Sequence, residues 1–276
     1  MISLRSNGMV VVGLLILAIV FLMMLTGSWF VANDPLAIDM SRRLEAPSLS
    51  YPLGTDNMGR CLFSRLVVGA RTTIGITMLT LATVALIGIP LGMLSGYLGG
   101  RFDAIMMRFL DGASAMPEFV VAIAIAGFLG PSLSNLMLAI LWVKWIGYAR
   151  VARGIVLAER KKEYILAARA AGSSSWNILM LHLIKKVLPS ILVIGSLDIG
   201  KIIMIIAMMS YVGLGAQPPT PEWGAMLNEG RSFFQSHPQL ILYPGIAIFV
   251  VVIACNLIGE GLRDQLDVRR RRGGHW

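Results

Sequence analysis

Charge is scarce: only 14% of the 276 residues are Asp, Glu, Lys or Arg, against about 25% in soluble domains. That scarcity excludes an ordinary soluble globular domain. Cysteine is scarcer still. Cys61 and Cys255 lie far apart, fit no metal-ligand spacing and give no support for a disulfide, because Cys255 sits inside an apolar run. The three histidines, His182, His237 and His275, fall in separate regions. His-Glu-x-x-His and Cys-x-x-Cys are both absent, which removes the common zinc and redox signatures, and no Gly-x-x-x-x-Gly-Lys-Ser/Thr is present to cradle a phosphate. An intramembrane protease would need paired aspartates or a Ser/His pair. Asp111 and Asp198 could in principle form such a pair, but nothing flanking them supports that chemistry.

Apolar residues are what the chain has in quantity. They make up 56% of it, and the mean hydropathy is +0.74. The net charge of +9 comes from basic residues clustered between apolar runs, a pattern that fits the positive-inside rule and not nucleic-acid binding. The expected fold class is an all-α integral membrane protein with about six transmembrane helices. Five spans, or one re-entrant segment, would also fit.

Residues 9–31 carry no charge and can cross a hydrocarbon core of about 30 Å. The run is longer than a signal-peptide core and Phe30-Val31-Ala32 is a poor cleavage site, so a retained first span is expected. In the polar segment 33–71, Asp34-Pro35, Ala46-Pro47 and Tyr51-Pro52 break any long helix. Gly54-Thr55-Asp56 reads as a turn and a helix start, with Asp56 as cap. Residues 64–73 are expected to run along the membrane surface into a second span within 72–100, whose end Pro90 and Gly92 would loosen. Residues 102–155 need two spans. The first gathers Asp103, Arg108, Asp111 and Glu118 before an apolar run to Leu129, and the second, 135–152, holds Lys144. Charges at such depth face protein or a water-filled cavity, or snorkel to the interface. The fifth span, 187–211, contains Asp198 and Lys201, three apart and able to pair. Met204 and Met208 share that face at helical spacing, as soft contacts for a solute or as apolar packing. A Gly/Pro-rich loop, 212–238, leads to a sixth span, 240–258, and a basic tail.

With six spans, both termini and the 150–186 segment share a side that holds fourteen Lys and Arg, against six on the other. The richer side is expected to be cytoplasmic. The divisions expected are 1–71 (tail, first span and external segment), 72–270 (core, with a basic segment at 159–190) and a cytoplasmic tail at 271–276.

The informative stretch is Glu163 to Gly172. Ala167, Ala168, Ala170 and Ala171 favour helix and let another surface approach the backbone closely. Gly172 can end that helix in a left-handed conformation. Ser173-Ser174-Ser175 can cap a second helix starting near Trp176. An ordinary solvated loop with basic anchors is the alternative.

Glu-x-x-x-Ala-Ala-x-x-x-Gly at 163–172 resembles the EAA motif of the membrane subunits of binding-protein-dependent ABC importers. Pro52-Leu53-Gly54-Thr55-Asp56-Asn57-Met58-Gly59-Arg60, with Phe63-Ser64-Arg65-Leu66 and Gly69-Ala70-Arg71, resembles the segment after the first span in the dipeptide, oligopeptide and nickel permeases. Gly213-Leu214-Gly215-Ala216-Gln217-Pro218-Pro219 with Pro221-Glu222-Trp223-Gly224 resembles their last external loop, and Asn256 to Asp264 their C-terminal end. Cys61 stands where an acidic residue is usual, and Lys185 where a proline is usual, which puts the helix break after residue 184 in doubt. The short length and Leu197-Asp198-Ile199-Gly200 look more like the nickel-type second permease subunit.

The resemblance implies a type I ABC importer permease of the bacterial cytoplasmic membrane, not itself an enzyme and holding no cofactor. The implied partners are a second homologous permease subunit, two cytoplasmic ATPases that bind ATP and magnesium, an external solute-binding protein and the lipid bilayer. It implies that Glu163, Ala167, Ala168 and Gly172 dock on an ATPase. Asp111, Asp198, Lys201, Met204 and Met208 are candidates for the translocation path, and Asp111 with Glu118 could attract a cationic solute. The solute would be nickel, in chelated form, or alternatively a small peptide. A non-conducting membrane scaffold is the reading outside transport.

Overall fold

The computed structural model describes residues 2–30 and 33–272, with side chains described for 8–27 and 33–265. Val31, Ala32 and residues 273–276 of the expected tail lie outside the described residues. Among the described residues the regular structure is helical, apart from one bridge between Thr55 and Cys61. The order is α1 (Ile2–Phe30), α2 (Leu62–Leu98), α3 (Gly100–Ala113), α4 (Glu118–Leu129), α5 (Leu133–Glu159), α6 (Glu163–Ala170), the single turn α7 (Ser175–Asn177), a π-helical stretch (Ile178–Leu183), α8 (Ile184–Tyr211), α9 (Trp223–Gly230) and α10 (Gln239–Arg272).

Among the described residues, four helical stretches are long and apolar enough to cross a membrane: Gly8–Gly27, Leu62–Leu98, Ser175–Tyr211 and Gln239–Gln265. The expected third span is broken. α3 and α4 meet at 83° across Ser114-Ala115-Met116-Pro117, where Pro117 cannot donate a backbone hydrogen bond and steers Met116 away from helix. The expected fourth span is α5, 27 residues or about 40 Å long. Its apolarity is lowered by cations that the neighbouring helices neutralise. Lys144 Nζ lies 2.6 Å from Glu118 of α4, and Arg150 Nη2 lies 2.9 Å from Asp111 of α3. Arg153 grips both oxygens of Asp103 at 2.5 and 2.6 Å, a fork geometry that fixes orientation as well as charge. These pairs hold the α3–α4 elbow against α5.

The expected surface run at 64–73 is instead the start of α2, a 37-residue helix about 55 Å long. Asp56 does not cap it. Cys61 occupies that position and makes no side-chain cap bond. Pro90 lies inside the helix without ending it, and the chain turns at Gly99 and Gly100, whose φ values are +66° and +58°.

α2 and α5 pack backbone to backbone. Gly88, Gly92 and Gly96 lie one helical turn apart on α2. A Cβ on Gly92 would lie 2.2 Å from the Ala149 carbonyl oxygen, one on Gly88 2.7 Å from that of Trp145, and one on Gly96 2.8 Å from that of Arg153. Small residues at this spacing let membrane helices approach closely where burial of apolar surface gives no driving force. α1 packs on α10 in the same way at Gly13, whose Cβ would lie 2.7 Å from Ala254 O.

Gly92→Leu is therefore expected to cost at least about 1–3 kcal/mol by overpacking. It should lower the thermal midpoint of the detergent-purified protein. Gly75→Leu, on the same helix where a Cβ has nothing within 4 Å, should leave that midpoint unchanged.

Candidate functional site

The Glu163–Gly172 stretch folds as the spacing predicts. Glu163 in the first turn and Arg169 in the last complement the helix dipole of α6. At its C-terminus Ser173 N–H donates to Ala168 O at 3.0 Å and Gly172 N–H to Arg169 O at 3.1 Å. With Gly172 at φ +83°, this is a Schellman closure. Ser174 Oγ then accepts from Asn177 N–H at 3.2 Å and caps α7. The predicted helix, turn, helix is present.

α6 is held to the bundle on one side only. Ile165 is fully buried among Val156, Ile178 and Leu183, a burial that stabilises by roughly 1.5–3 kcal/mol. Glu163, Ala167 and Gly172 are exposed and Ala168 is half-buried. A Cβ on Gly172 would meet nothing within 4 Å, so the glycine leaves open space outside the chain. Leu166 and Trp176, 50% and 64% exposed, border this surface. Tyr164 donates to Glu159 at 2.6 Å, and Glu159 also pairs with Lys162 at 2.6 Å. Burial, then the bond to that carboxylate, push the Tyr164 hydroxyl up to about 12, so it remains a donor at neutral pH.

Beyond α6 no break follows residue 184. Lys185 is an exposed residue of α8, and the irregularity lies earlier, in the π-helical stretch Ile178–Leu183. Pro189 is retained inside α8.

The candidate path residues divide into two places. Asp198 is buried and accepts from Lys201 Nζ at 3.1 Å, as the spacing predicts. Lys201, Met204 and Met208 are exposed along one face of α8. Asp111 instead sits on α3, paired with Arg150, and Glu118 sits on α4, paired with Lys144. A separate cavity of about 810 Å³ between α2, α5, α8 and α10 is lined by residues that include Met78, Leu81, Tyr148, Leu192, Ser196 and Ile199, and by none of the path candidates.

A polar centre that the spacing did not reveal lies at the opposite end of α2 from α6. Arg60 and Arg65 are 2% and 1% exposed. Arg60 Nε lies 2.6 Å from Asp56, Arg65 Nε 3.4 Å from Asp56, and Glu229 of α9 accepts from Arg60 at 2.6 Å and Arg65 at 2.8 Å. Two buried guanidinium groups thus share the buried Asp56 and the partly exposed Glu229, where a buried charge without a partner would be costly. Asp56 also accepts the backbone N–H groups of Met58 and Arg60. Beside it Glu222, fully buried, caps α9 through Gly224 and Ala225 and accepts from Thr73 of α2 at 3.0 Å. The stretches Pro52–Arg60, Phe63–Leu66 and Pro221–Gly224 flagged Asp56, Arg60, Arg65 and Glu222 as parts of motifs, and Glu229 lay outside them. Their partnership was hidden because Arg60 and Glu229 are 169 residues apart.

The family described as "Binding-protein-dependent transport system inner membrane component" matches residues 88–272. The chain belongs to this family. It is 42% identical over 264 residues to the probable D,D-dipeptide transport system permease protein DdpC of Escherichia coli K12, covering 96% of this chain and 89% of that one. It is 39% identical to the nickel transport system permease protein NikC of the same strain, covering 96% and 95%. The dipeptide transport system permease protein DppC of Alkalihalophilus pseudofirmus is 38% identical, covering 98% and 88%. An inward-facing structure of the MetNI methionine ABC transporter shares the fold, with a TM-score of 0.56 at 18% identity over 72% of this chain and 94% of that one. Membership makes the chain a multi-pass inner-membrane permease and a transporter component, with the all-helical fold expected of a type I importer permease.

In this permease Glu229→Gln would leave two buried guanidinium groups facing one carboxylate, at a cost of about 3–5 kcal/mol. Asp111→Asn, which removes a partner from an exposed pair, should cost under about 1 kcal/mol. Thermal melting of the two purified variants in one detergent measures the difference.

Proposed function

We propose that the chain is a translocating membrane subunit of an ATP-driven importer, with α6 as the helix that seats on a cytoplasmic ATPase. The observation that carries this reading is the exposed face of α6. A short helix anchored by Ile165, closed by Gly172 and lined by Ala167 and Ala168 offers a near-bare backbone to a partner. Glu163 supplies a polar contact at its first turn. A second homologous permease subunit completes the path, two ATPases hold ATP and magnesium, and an external solute-binding protein delivers the solute. α6 and both termini face the cytoplasm, in keeping with the excess of Lys and Arg on that side. Closure of the ATPases moves α6, and the spans alternate between outward and inward openings, a two-state linkage between separate sites. The exposed face of Lys201, Met204 and Met208 borders the path.

Ala167→Trp tests the docking. The residue is exposed in the isolated chain, so the substitution spares the permease fold. Gly172→Trp adds a strain of about 1–2 kcal/mol at φ +83° and is the less selective probe. Both are expected to insert normally, lose co-purifying ATPase and abolish uptake. Wild-type uptake by Ala167→Trp would sink the docking reading.

The solute reading taken first is nickel in chelated form, supported by Leu197-Asp198-Ile199-Gly200 and the NikC relative. A dipeptide is the second, favoured by the 42% identity to DdpC. Cells lacking this chain and complemented with it should regain uptake of radioactive nickel under the first reading and of labelled dipeptide under the second. Recovery of neither favours a third solute or a non-conducting scaffold.

A further inference from the structure

α6 touches more than α5 and the π-helical stretch. Its last-turn Arg169 places Cζ over the Tyr97 ring, 5.5 Å from the centroid. Tyr97 belongs to the last turn of α2, and its hydroxyl donates to Ser175 Oγ, the first residue of α7, at 3.2 Å. The same turn of α2 is held from a third direction. Arg160, which follows α5, donates Nη1 to the carbonyl oxygens of Gly96 and Tyr97 at 2.8 and 3.1 Å, so a cation meets the unsatisfied carbonyls of a helix end. One aromatic ring is therefore clasped between the exposed helix and the turn that leads into α8, at the tip of the longest helix in the bundle.

We propose that Tyr97 is a positioning residue for transport. Clasped by Arg169 and Ser175, it ties the end of α2 to α6, so that displacement of α6 reaches α2 directly as well as through α7 and α8. This rests on α6 being the helix that an ATPase moves. The geometry favours transmission over simple packing for two reasons. The Arg169 and Ser175 contacts bridge three elements that no backbone hydrogen bond joins at this point. α2 is also rigidly paired with α5 through Gly88, Gly92 and Gly96, so a push at Tyr97 moves two helices as one body. Ile165 and Ile178 form the parallel route into α8 within the apolar core.

The test uses the complete importer in proteoliposomes and compares solute imported with ATP hydrolysed. Tyr97→Leu removes the ring and hydroxyl. Tyr97→Phe keeps the ring for Arg169. Tyr97→Leu is expected to retain bound ATPase and basal hydrolysis while solute imported per ATP falls about five-fold or more, and Tyr97→Phe should retain most of the ratio. Arg169→Leu should lower the ratio as far as Tyr97→Leu does. The double variant should be no worse than either, as for two residues of one contact. An unchanged ratio in Tyr97→Leu, strictly additive losses, or a fall that comes with loss of bound ATPase or of thermal stability would each overturn the proposal. Ala167→Trp in the same preparation reports on docking alone: it loses bound ATPase if α6 docks, whatever Tyr97 does, so the failure of one idea is distinguishable from the failure of the other.

Discussion

Contact between the backbones of α2 and α5 is the constraint on which the rest of the structure depends. Helices in lipid gain little by hiding apolar side chains, so close approach must come from the absence of side chains. Gly88, Gly92 and Gly96 supply that absence against Trp145, Ala149 and Arg153. Once α5 is fixed, Lys144, Arg150 and Arg153 present their charges in register with Glu118, Asp111 and Asp103. That register seats the bent α3–α4 unit. The end of α5 then launches α6, and the end of α2 receives Arg160.

Much of this was legible in one dimension wherever cause and effect lie within one turn of chain. Gly172 ends α6, Ser174 caps α7 and Asp198 meets Lys201 because each interaction spans a few residues. The uncharged runs mark the spans because a bilayer is a simple solvent to read. What escaped is non-local or depends on a neighbour. α2 extends back to Leu62 because Arg65 is neutralised by Asp56 and Glu229 instead of facing lipid. Isolated in sequence, Arg65 looks like the end of a membrane segment. Asp56, expected to start a helix, serves that ionic centre instead. In the sequence Gly92 reads, with Pro90, as a loosening of the span's end, because close approach needs a partner whose identity no local pattern discloses.

The exposed surface of α6 and the buried core beneath it solve opposite problems. The docking proposed for α6 would require an uncovered backbone, and uncovered helices of eight residues are marginal alone. Ile165, the Schellman closure at Gly172 and the contacts of Glu159 and Tyr97 stabilise the helix from its inner side and ends, which leaves Ala167, Ala170 and Gly172 uncovered between the larger exposed groups Leu166 and Arg169. The π-helical stretch between α7 and α8 lies directly under this surface. Such stretches are frequent at functional sites, and here it forms the root of the span that carries Lys201, Met204 and Met208.

The shared carboxylates of the far end carry a consequence for how the protein is made. Glu229 leaves the ribosome 169 residues after Arg60 and 164 after Arg65. Until then two arginines have one aspartate between them, and the segment at 54–65 must stay hydrated. The N-terminal half therefore cannot dry this end of α2 by itself, however well α2 and α5 have paired. Arrival of α9 closes the structure, which makes the last third of the chain the element that commits the first third to its final form.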